Sequence, residues 1–272
     1  MSAASTNFRE LHVKGTPLVM VNVWDAGTAK LMHGLGARAL ATSSAAHAYV
    51  MGRPDCGGVT RDEALAHAAE IVAATPLPVQ GDFENGFGDD PDTCAETVKL
   101  SAEVGLAGIC IEDTMCPTEN AYDFDLAVER VKAAASAARA LPKDFMLTAR
   151  ADGVLTGTYD ADEALRRLLA FQDAGADCLY APLLPDLETI QRFTAALSKP
   201  LNVLITGGSA DYTRATLGDI GVARISIGSS LARVTHRAIY DIGKSMIESG
   251  DFTGLANSIG SDVIDPYLSD KP

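Results

Sequence analysis

The sequence predicts an α/β fold, a (β/α)8 TIM barrel, from three observations. Eight short apolar runs rich in β-branched residues recur along 272 residues, segments with helical spacing separate them, and the runs are almost uninterrupted by polar residues. Alternation of strand and helix implies parallel β-α units, and eight such units match a closed barrel. Parallel strands covered on both faces by helices are expected to be nearly continuous in apolar character. The strand candidates are 18–23, 39–42, 79–82, 108–112, 145–150, 178–181, 201–205 and 223–227, and the clearest helical segments are 61–74, 91–104, 125–140, 161–174 and 186–197. Gly105 and Gly175 follow two of these helices, where glycine readily ends a helix before the next strand. The rival open, doubly wound sheet calls for a glycine fingerprint after its first strand, but Asn22-Val23-Trp24-Asp25 stands there. No linker-like shift in composition divides the chain, so residues 1–272 read as one barrel domain.

Composition sets limits on partners. With 47% hydrophobic residues the chain can bury a substantial core, and a net charge of −14 argues against nucleic acid or an anionic membrane surface. The start, MSAASTNFRELHVKG, carries no apolar leader core, and no run approaches the length of a membrane span. Five cysteines (56, 94, 110, 116 and 178) form no C-x-x-C pair, which predicts reduced thiols and a cytoplasmic setting.

In a barrel the chemistry sits at the carboxyl ends of the strands. The polar residues there include Ser43 and Ser44 after the second strand, Asp82 and Glu84 at the third, and Glu112 and Asp113 at the fourth. Arg150 and Asp152 follow at the fifth, Tyr180 at the sixth and Thr206 after the seventh. Asp82 and Glu84 are two apart, so extended backbone would turn both to one side, and Glu112 comes from the next strand. Clustered inward-facing acids repel each other unless a cation sits among them, and an all-oxygen set suits Mg2+ or Mn2+. Arg150 fits either a bidentate clamp on a substrate carboxylate or a structural ion pair with Asp152 or Glu112. Thr206-Gly207-Gly208-Ser209 and Ile227-Gly228-Ser229-Ser230 suit a phosphate cradle, or equally turns and caps. No lysine ends a strand, the five histidines are scattered, and no G-x-S-x-G elbow occurs, which demotes Schiff-base, zinc and serine-hydrolase chemistry.

Two blocks, Asp82-Phe83-Glu84-Asn85-Gly86-Phe87-Gly88 and Gly108-Ile109-Cys110-Ile111-Glu112-Asp113, together resemble the metal-binding core of the isocitrate lyase/phosphoenolpyruvate mutase superfamily. So do Ala41–Ala45, Gly52-Arg53-Pro54-Asp55, Thr148-Ala149-Arg150 and Gly221-Val222-Ala223-Arg224, in the family's order from about residue 18 to 235. The resemblance implies a Mg2+-dependent barrel that makes or breaks a C–C or P–C bond beside a 2-oxo or 2-hydroxy acid, often through a pyruvate enolate. It places Asp55, Asp82, Glu84 and Glu112 around the metal. Ser43, Ser44, Ala45, Asp55, Arg150 and Thr206 become substrate-binding residues. It further implies a homo-oligomer, dimer or tetramer, in which the 230–249 helix packs on a neighbouring subunit.

The loop after the fourth strand separates the branches. The isocitrate and methylisocitrate lyases carry Lys-Arg-Cys-Gly-His there, whereas this chain has Thr114–Ala121 with Asn120 in the place of the lyase cysteine, leaving Cys116 as a loop or packing thiol. Pro117 and Asn120 resemble the mutase loop, but Thr118 replaces its lysine, which disfavours a phosphonate. Glu112–Pro117 is also similar to the loop of the superfamily's oxaloacetate decarboxylases. The expected activity is a C–C lyase acting by decarboxylation or retro-aldol cleavage on a small dicarboxylate. Arg150, Asn120, Tyr49 and Tyr180 are the catalytic candidates, the last three as proton donors. The alternatives are P–C chemistry on phosphonopyruvate and a barrel that binds a 2-oxo acid with little turnover.

Overall fold

The computed structural model describes residues 7–269; the first six and last three residues covered by the one-domain reading lie outside it. Ten strands occur: β1 (Leu18–Asn22), β2 (Leu40–Ala41), β3 (Val79–Asp82), β4 (Gly108–Glu112), β5 (Thr114–Met115), β6 (Asn120–Ala121), β7 (Met146–Arg150), β8 (Cys178–Tyr180), β9 (Leu201–Leu204) and β10 (Arg224–Ser226). Eight of them close into a parallel barrel in the order β1-β10-β9-β8-β7-β4-β3-β2, while β5 and β6 form a short antiparallel hairpin outside it. The predicted barrel is therefore present, with most strands a residue or two shorter than their apolar runs.

The helices are α1 (Ala26–Gly34), α2 (Ser44–Val50), α3 (Arg61–Ala73), α4 (Pro91–Glu103), α5 (Phe124–Ala140), α6 (Gly153–Thr156), α7 (Ala161–Asp173), α8 (Leu187–Ala196), α9 (Arg214–Asp219), α10 (Ser230–Ser249) and α11 (Ser261–Leu268). Their starts are written in side chains that accept first-turn N–H groups. Asp25 and Thr60 form capping boxes with Thr28 and Glu63, and Asp90, Asp160 and Asp186 cap α4, α7 and α8. Gly105 and Gly175 have φ of +94° and +108°, so they turn the chain from helix to strand in a conformation that side chains resist.

Apolar burial lies in two layers. Between strands and helices, Ile71, Ile109, Leu147, Phe171 and Phe193 belong to one continuous core. Inside the barrel, Met20, Met146 and Cys178 meet Phe8 and Leu11 of the amino-terminal segment, which closes the bottom. Above this plug lies a polar layer that the strand reading passed over. The buried Arg224 donates to Asn202 Oδ1 (2.9 Å) and Gln80 Oε1 (2.8 Å), and Thr148 donates to Gln80 (3.1 Å). His12 Nε2 stands 3.3 Å from Arg224 while its Nδ1 meets Phe8 O, and burial beside that guanidinium lowers its pKa to about 3.

Two sequence expectations change. Cys56 and Cys116 are joined in a disulfide across 60 positions, so Cys116 is not a free packing thiol; Cys94, Cys110 and Cys178 are free and buried. Spacing gave no sign of this pair, because only barrel closure brings the loops after β2 and β4 together. Glu84 also fails to follow strand alternation, since β3 ends at Asp82 and Glu84 has a φ of +46°. Among the described residues no helix is long and apolar enough to cross a membrane.

Candidate active site

Adjacent strands β3, β4 and β7 deliver Asp82, Glu112 and Arg150 to one end of the barrel, and the β4–β7 register sets Glu112 opposite Arg150. The Arg150 side chain is 11% exposed and stands among three acids. Its Nη1 lies 3.0 Å from Asp82 Oδ1 and 2.9 Å from Glu112 Oε2. Its Nε and Nη2 clasp Asp152 in a two-pronged pair at 3.0 and 2.6 Å. The Tyr180 ring lies 5.1 Å from the guanidinium carbon. Of the two readings of Arg150, the structure shows the ion pairs with Asp152 and Glu112. Burial opposes its charge, but Asp152, Glu112 and Asp82 outweigh that and hold it protonated.

The other wall is the turn from β2 into α2. Ser43 caps α2 by accepting from Ala46 N, and Ser44 donates from its backbone N and its Oγ to Asp82 Oδ2, at 3.1 and 3.3 Å. Thr42 Oγ1 accepts from Asp82 N. The acid-glycine loop after β3 is braced from behind: Arg130 donates to Gly88 O and Asn85 O, and Asn85 donates to Tyr122. The disulfide ties the Asp55 loop to the loop after β4, and beside it Gly57 N donates to Glu84 (3.0 Å).

These elements enclose a cavity of about 380 Å3. Ser43, Ser44, Ala45, Tyr49, Asp55 and Asp82 line one side, and Arg150, Tyr180 and Thr206 continue around it. Glu112 pairs with Arg150 without lining the cavity, and Glu84 lines two other clefts, one very small and one larger and more open. Asn120 is exposed on the β5–β6 hairpin and does not line the cavity. Sequence reading missed Asn22, Gln80, Asn202 and Ser226, which line its floor. The signal was a polar residue inside an apolar strand run, which the search for strand-end residues ignored. Arg233, in the first turn of α10, also reaches the rim.

Three acids (Asp82, Glu112 and Asp152) pair with one guanidinium, Asp55 and Glu84 stand near Asp82, and the protonation of the group reflects that imbalance. Burial, with Asp55 and Asp82 adding repulsion, raises Glu84 to about 7. Burial and Asp82 raise Asp55, burial lifts Glu112 well above the carboxylate range, and burial brings Asp152 to about 6 despite Arg150. An excess of oxygen anions with no nitrogen or sulfur donor fits a hard dication. As placed, no three acids, histidines or cysteines among the described residues stand close enough to hold an ion. Arg150 takes the central position.

The phosphoenolpyruvate phosphomutase family model matches residues 8–247. A Mycobacterium tuberculosis H37Rv protein is 34% identical over 224 residues, covering 82% of each chain. The 2-methylisocitrate lyase of Salmonella typhimurium LT2 is 32% identical over 241 residues, 85% of this chain and 80% of the enzyme. An oxaloacetate decarboxylase of Chromohalobacter salexigens is 26% identical over 242 residues, 86% and 82% of the two chains. A crystal structure from Burkholderia cenocepacia J2315 superposes with a TM-score of 0.92 at 41% identity, over 97% of this chain and 95% of that one. The chain belongs to the isocitrate lyase/phosphoenolpyruvate mutase superfamily and is an enzyme of its carbon–carbon lyase kind. Lyases of this superfamily are typically metal-dependent.

The raised Glu84 yields a prediction for protein in chelator. A carboxyl titrating near 7 when folded and near 4.3 when unfolded binds its proton more tightly in the folded state. Its contribution is present below the unfolded value and is lost as pH rises through about 7, on the order of 3–4 kcal/mol in total. Urea unfolding of Glu84→Gln should therefore show a flatter stability profile between pH 4.5 and 7 than the parent; parallel profiles would rule out the raised carboxyl.

Proposed function

We propose that the protein is a Mg2+-dependent lyase (Mn2+ serving equally as a hard ion) that cleaves a C–C bond in a small 2-oxo or 2-hydroxy dicarboxylate, by decarboxylation or retro-aldol reaction through a pyruvate-type enolate. The observation that carries this reading is Arg150, a buried guanidinium facing Asp82 and Glu112 on the wall of a closed-bottomed cavity opposite the Ser43–Ala45 turn. The oxaloacetate decarboxylase relative supports it, since its name gives C–C cleavage in a 2-oxo diacid, and the methylisocitrate lyase relative supports cleavage of a 2-hydroxy polycarboxylate.

The residues that would hold the ion are Asp82, Asp55, Glu84 and Glu112, an all-oxygen set. When bound, the ion would supply positive charge that stabilises the anionic oxygen of the enolate. Arg150 binds the substrate carboxylate in a two-pronged grip, with Asp152 fixing the plane of its guanidinium. Ser43, Ser44 and Ala45 meet the acid group from the other wall, and Thr206 closes the far side. In decarboxylation the electron pair of the broken bond passes from the leaving CO2 into the pyruvate enolate, whose carbon then takes a proton. In retro-aldol cleavage the 2-hydroxyl gives its proton to a site carboxylate and becomes the carbonyl of the released 2-oxo acid, while the pair passes into the enolate of the other fragment, which is then protonated. Tyr180 and Tyr49 line the cavity and are the donors of choice, whereas Asn120 is remote from it. Burial keeps the Tyr180 phenol protonated well into alkaline pH.

P–C chemistry is the second reading, since the matching family model is named for a phosphomutase. Against it, the loop residue Thr118 carries no charge, and its hydroxyl donates to Met115 O. The chain is proposed to act in the cytoplasm as a homo-oligomer. Ile239, Tyr240 and Ile247 of α10 are each more than 60% exposed and share one side of the helix, an apolar face that a second copy would cover.

Purified protein with Mg2+ should release pyruvate or another 2-oxo acid from one of oxaloacetate, 2,3-dimethylmalate or methylisocitrate. Chelator and Asp82→Ala should each lower the rate at least about 100-fold, on the scale of one lost electrostatic group. Phosphate release from phosphonopyruvate would replace this reading with P–C cleavage, and tight oxalate binding without any product would leave a binding barrel. Light scattering on the same preparation should give the mass of a dimer or tetramer; a 28.5 kDa species would contradict the oligomer.

A further inference from the structure

Arg224 sits in surroundings that are the reverse of those of Arg150. It is 1% exposed and lines the floor of the same cavity. Its Nε donates to Asn202 Oδ1 at 2.9 Å, and its Nη1 donates to Gln80 Oε1 at 2.8 Å and to Thr148 Oγ1 at 3.2 Å. His12 Nε2 stands 3.3 Å from Nη1, on a ring that burial keeps neutral. All four partners are uncharged, and none of the ion pairs among the described residues includes Arg224. Neutral dipoles lower the cost of burying a charge without cancelling it.

The acceptors around Arg224 are already in use. The side-chain oxygens of Gln80 and Asn202 take its N–H groups, and Ser226 Oγ accepts from Asn202 Nδ2 at 2.8 Å. What remains are donors: Arg224 Nη2, Gln80 Nε2 and the hydrogen of the Ser226 hydroxyl, none with an acceptor among the described residues. The two nitrogens are not sealed in the interior. Among the described residues, the one wholly buried side-chain nitrogen or oxygen left without a partner is Thr114 Oγ1. The space that they border is the cavity, whose lining includes Arg224, Gln80, Asn202 and Ser226. A positive charge beside donors that lack acceptors suits an oxyanion, whose oxygens bring the acceptors and the counter-charge together.

We propose that Arg224, Gln80 and Ser226 form a carboxylate-binding subsite on the cavity floor, which takes the second acid group of the ligand while Arg150 takes the first. The proposal rests on the lyase site described above and names what in that site tells a diacid from a monoacid.

The test is calorimetry on the intact protein in Mg2+. Malate and 2-hydroxybutyrate of the same configuration serve as a pair of nearly equal shape that differ by one acid group, and oxalate serves as the reference for the metal and Arg150. Malate should bind at least about tenfold more tightly than 2-hydroxybutyrate, the scale of one hydrogen bond to a charged group. Gln80→Glu sets a carboxylate against Arg224 in nearly the shape of the amide. It should cut that ratio below about threefold and leave oxalate within about twofold of the parent, and Arg224→Gln should do the same. Equal affinities for malate and 2-hydroxybutyrate, with oxalate still bound in a Mg2+-dependent way, overturn the floor subsite and leave the proposed lyase intact. A ratio unchanged in Gln80→Glu, or lost instead in Arg233→Gln at the rim, also overturns it. Absence of Mg2+-dependent binding by all three probes overturns the lyase site and the subsite together.

Discussion

A guanidinium buried at the end of β7 must be neutralised where it stands, and Arg150 meets that demand by drawing Asp82, Glu112 and Asp152 onto itself. Removing any partner would leave a charge in a poorly solvated place. The three neighbouring strand ends are therefore locked to one another electrostatically as well as by the ladder. From Asp82 the constraint passes to Ser44, whose N–H and hydroxyl hold the other carboxylate oxygen, and so to the start of α2. From Asp152 it passes to Asp113, which accepts from Asp152 N and pairs with Arg167 of α7.

This balance is incomplete by design of the donor set. One guanidinium pairs with three acids while two more stand nearby, and burial raises four of the five, Asp55, Glu84, Glu112 and Asp152, above their ordinary range. In the proposed function a hard cation among these acids would relieve their repulsion and free Arg150 to pair with a substrate carboxylate. The same arginine thus stabilises the empty barrel and, in the proposed reaction, binds the substrate. The polar layer of Arg224, Gln80, Asn202 and Thr148 under the cavity floor keeps that exchange above the apolar plug of Met20 and Met146.

The barrel was legible because its strands are apolar runs ended by polar residues, so Asp82, Glu112, Arg150 and Tyr180 could be placed before any coordinates. What stayed hidden depended on backbone direction or on closure. Glu84 turns away because φ at that residue is positive, which residue spacing cannot encode. Cys56 and Cys116 meet only because β2 and β4 flank β3 in the closed ring. Gln80 and Asn202 were masked by the apolar runs that contain them, though they line the floor. The β5–β6 hairpin, two residues per strand, is too short to leave a pattern, and it carries Asn120 away from the cavity.

The central claim is that Arg150 and a metal ion share the same acids in turn. A crystal structure of the protein grown with Mg2+ and oxalate tests it most directly. The account predicts an ion held by Asp82 and its neighbouring acids, with Arg150 moved off Asp82 and Glu112 to grip the oxalate. Arg150 still paired to both acids, with no ion beside Asp82 and oxalate absent from the cavity, would contradict it.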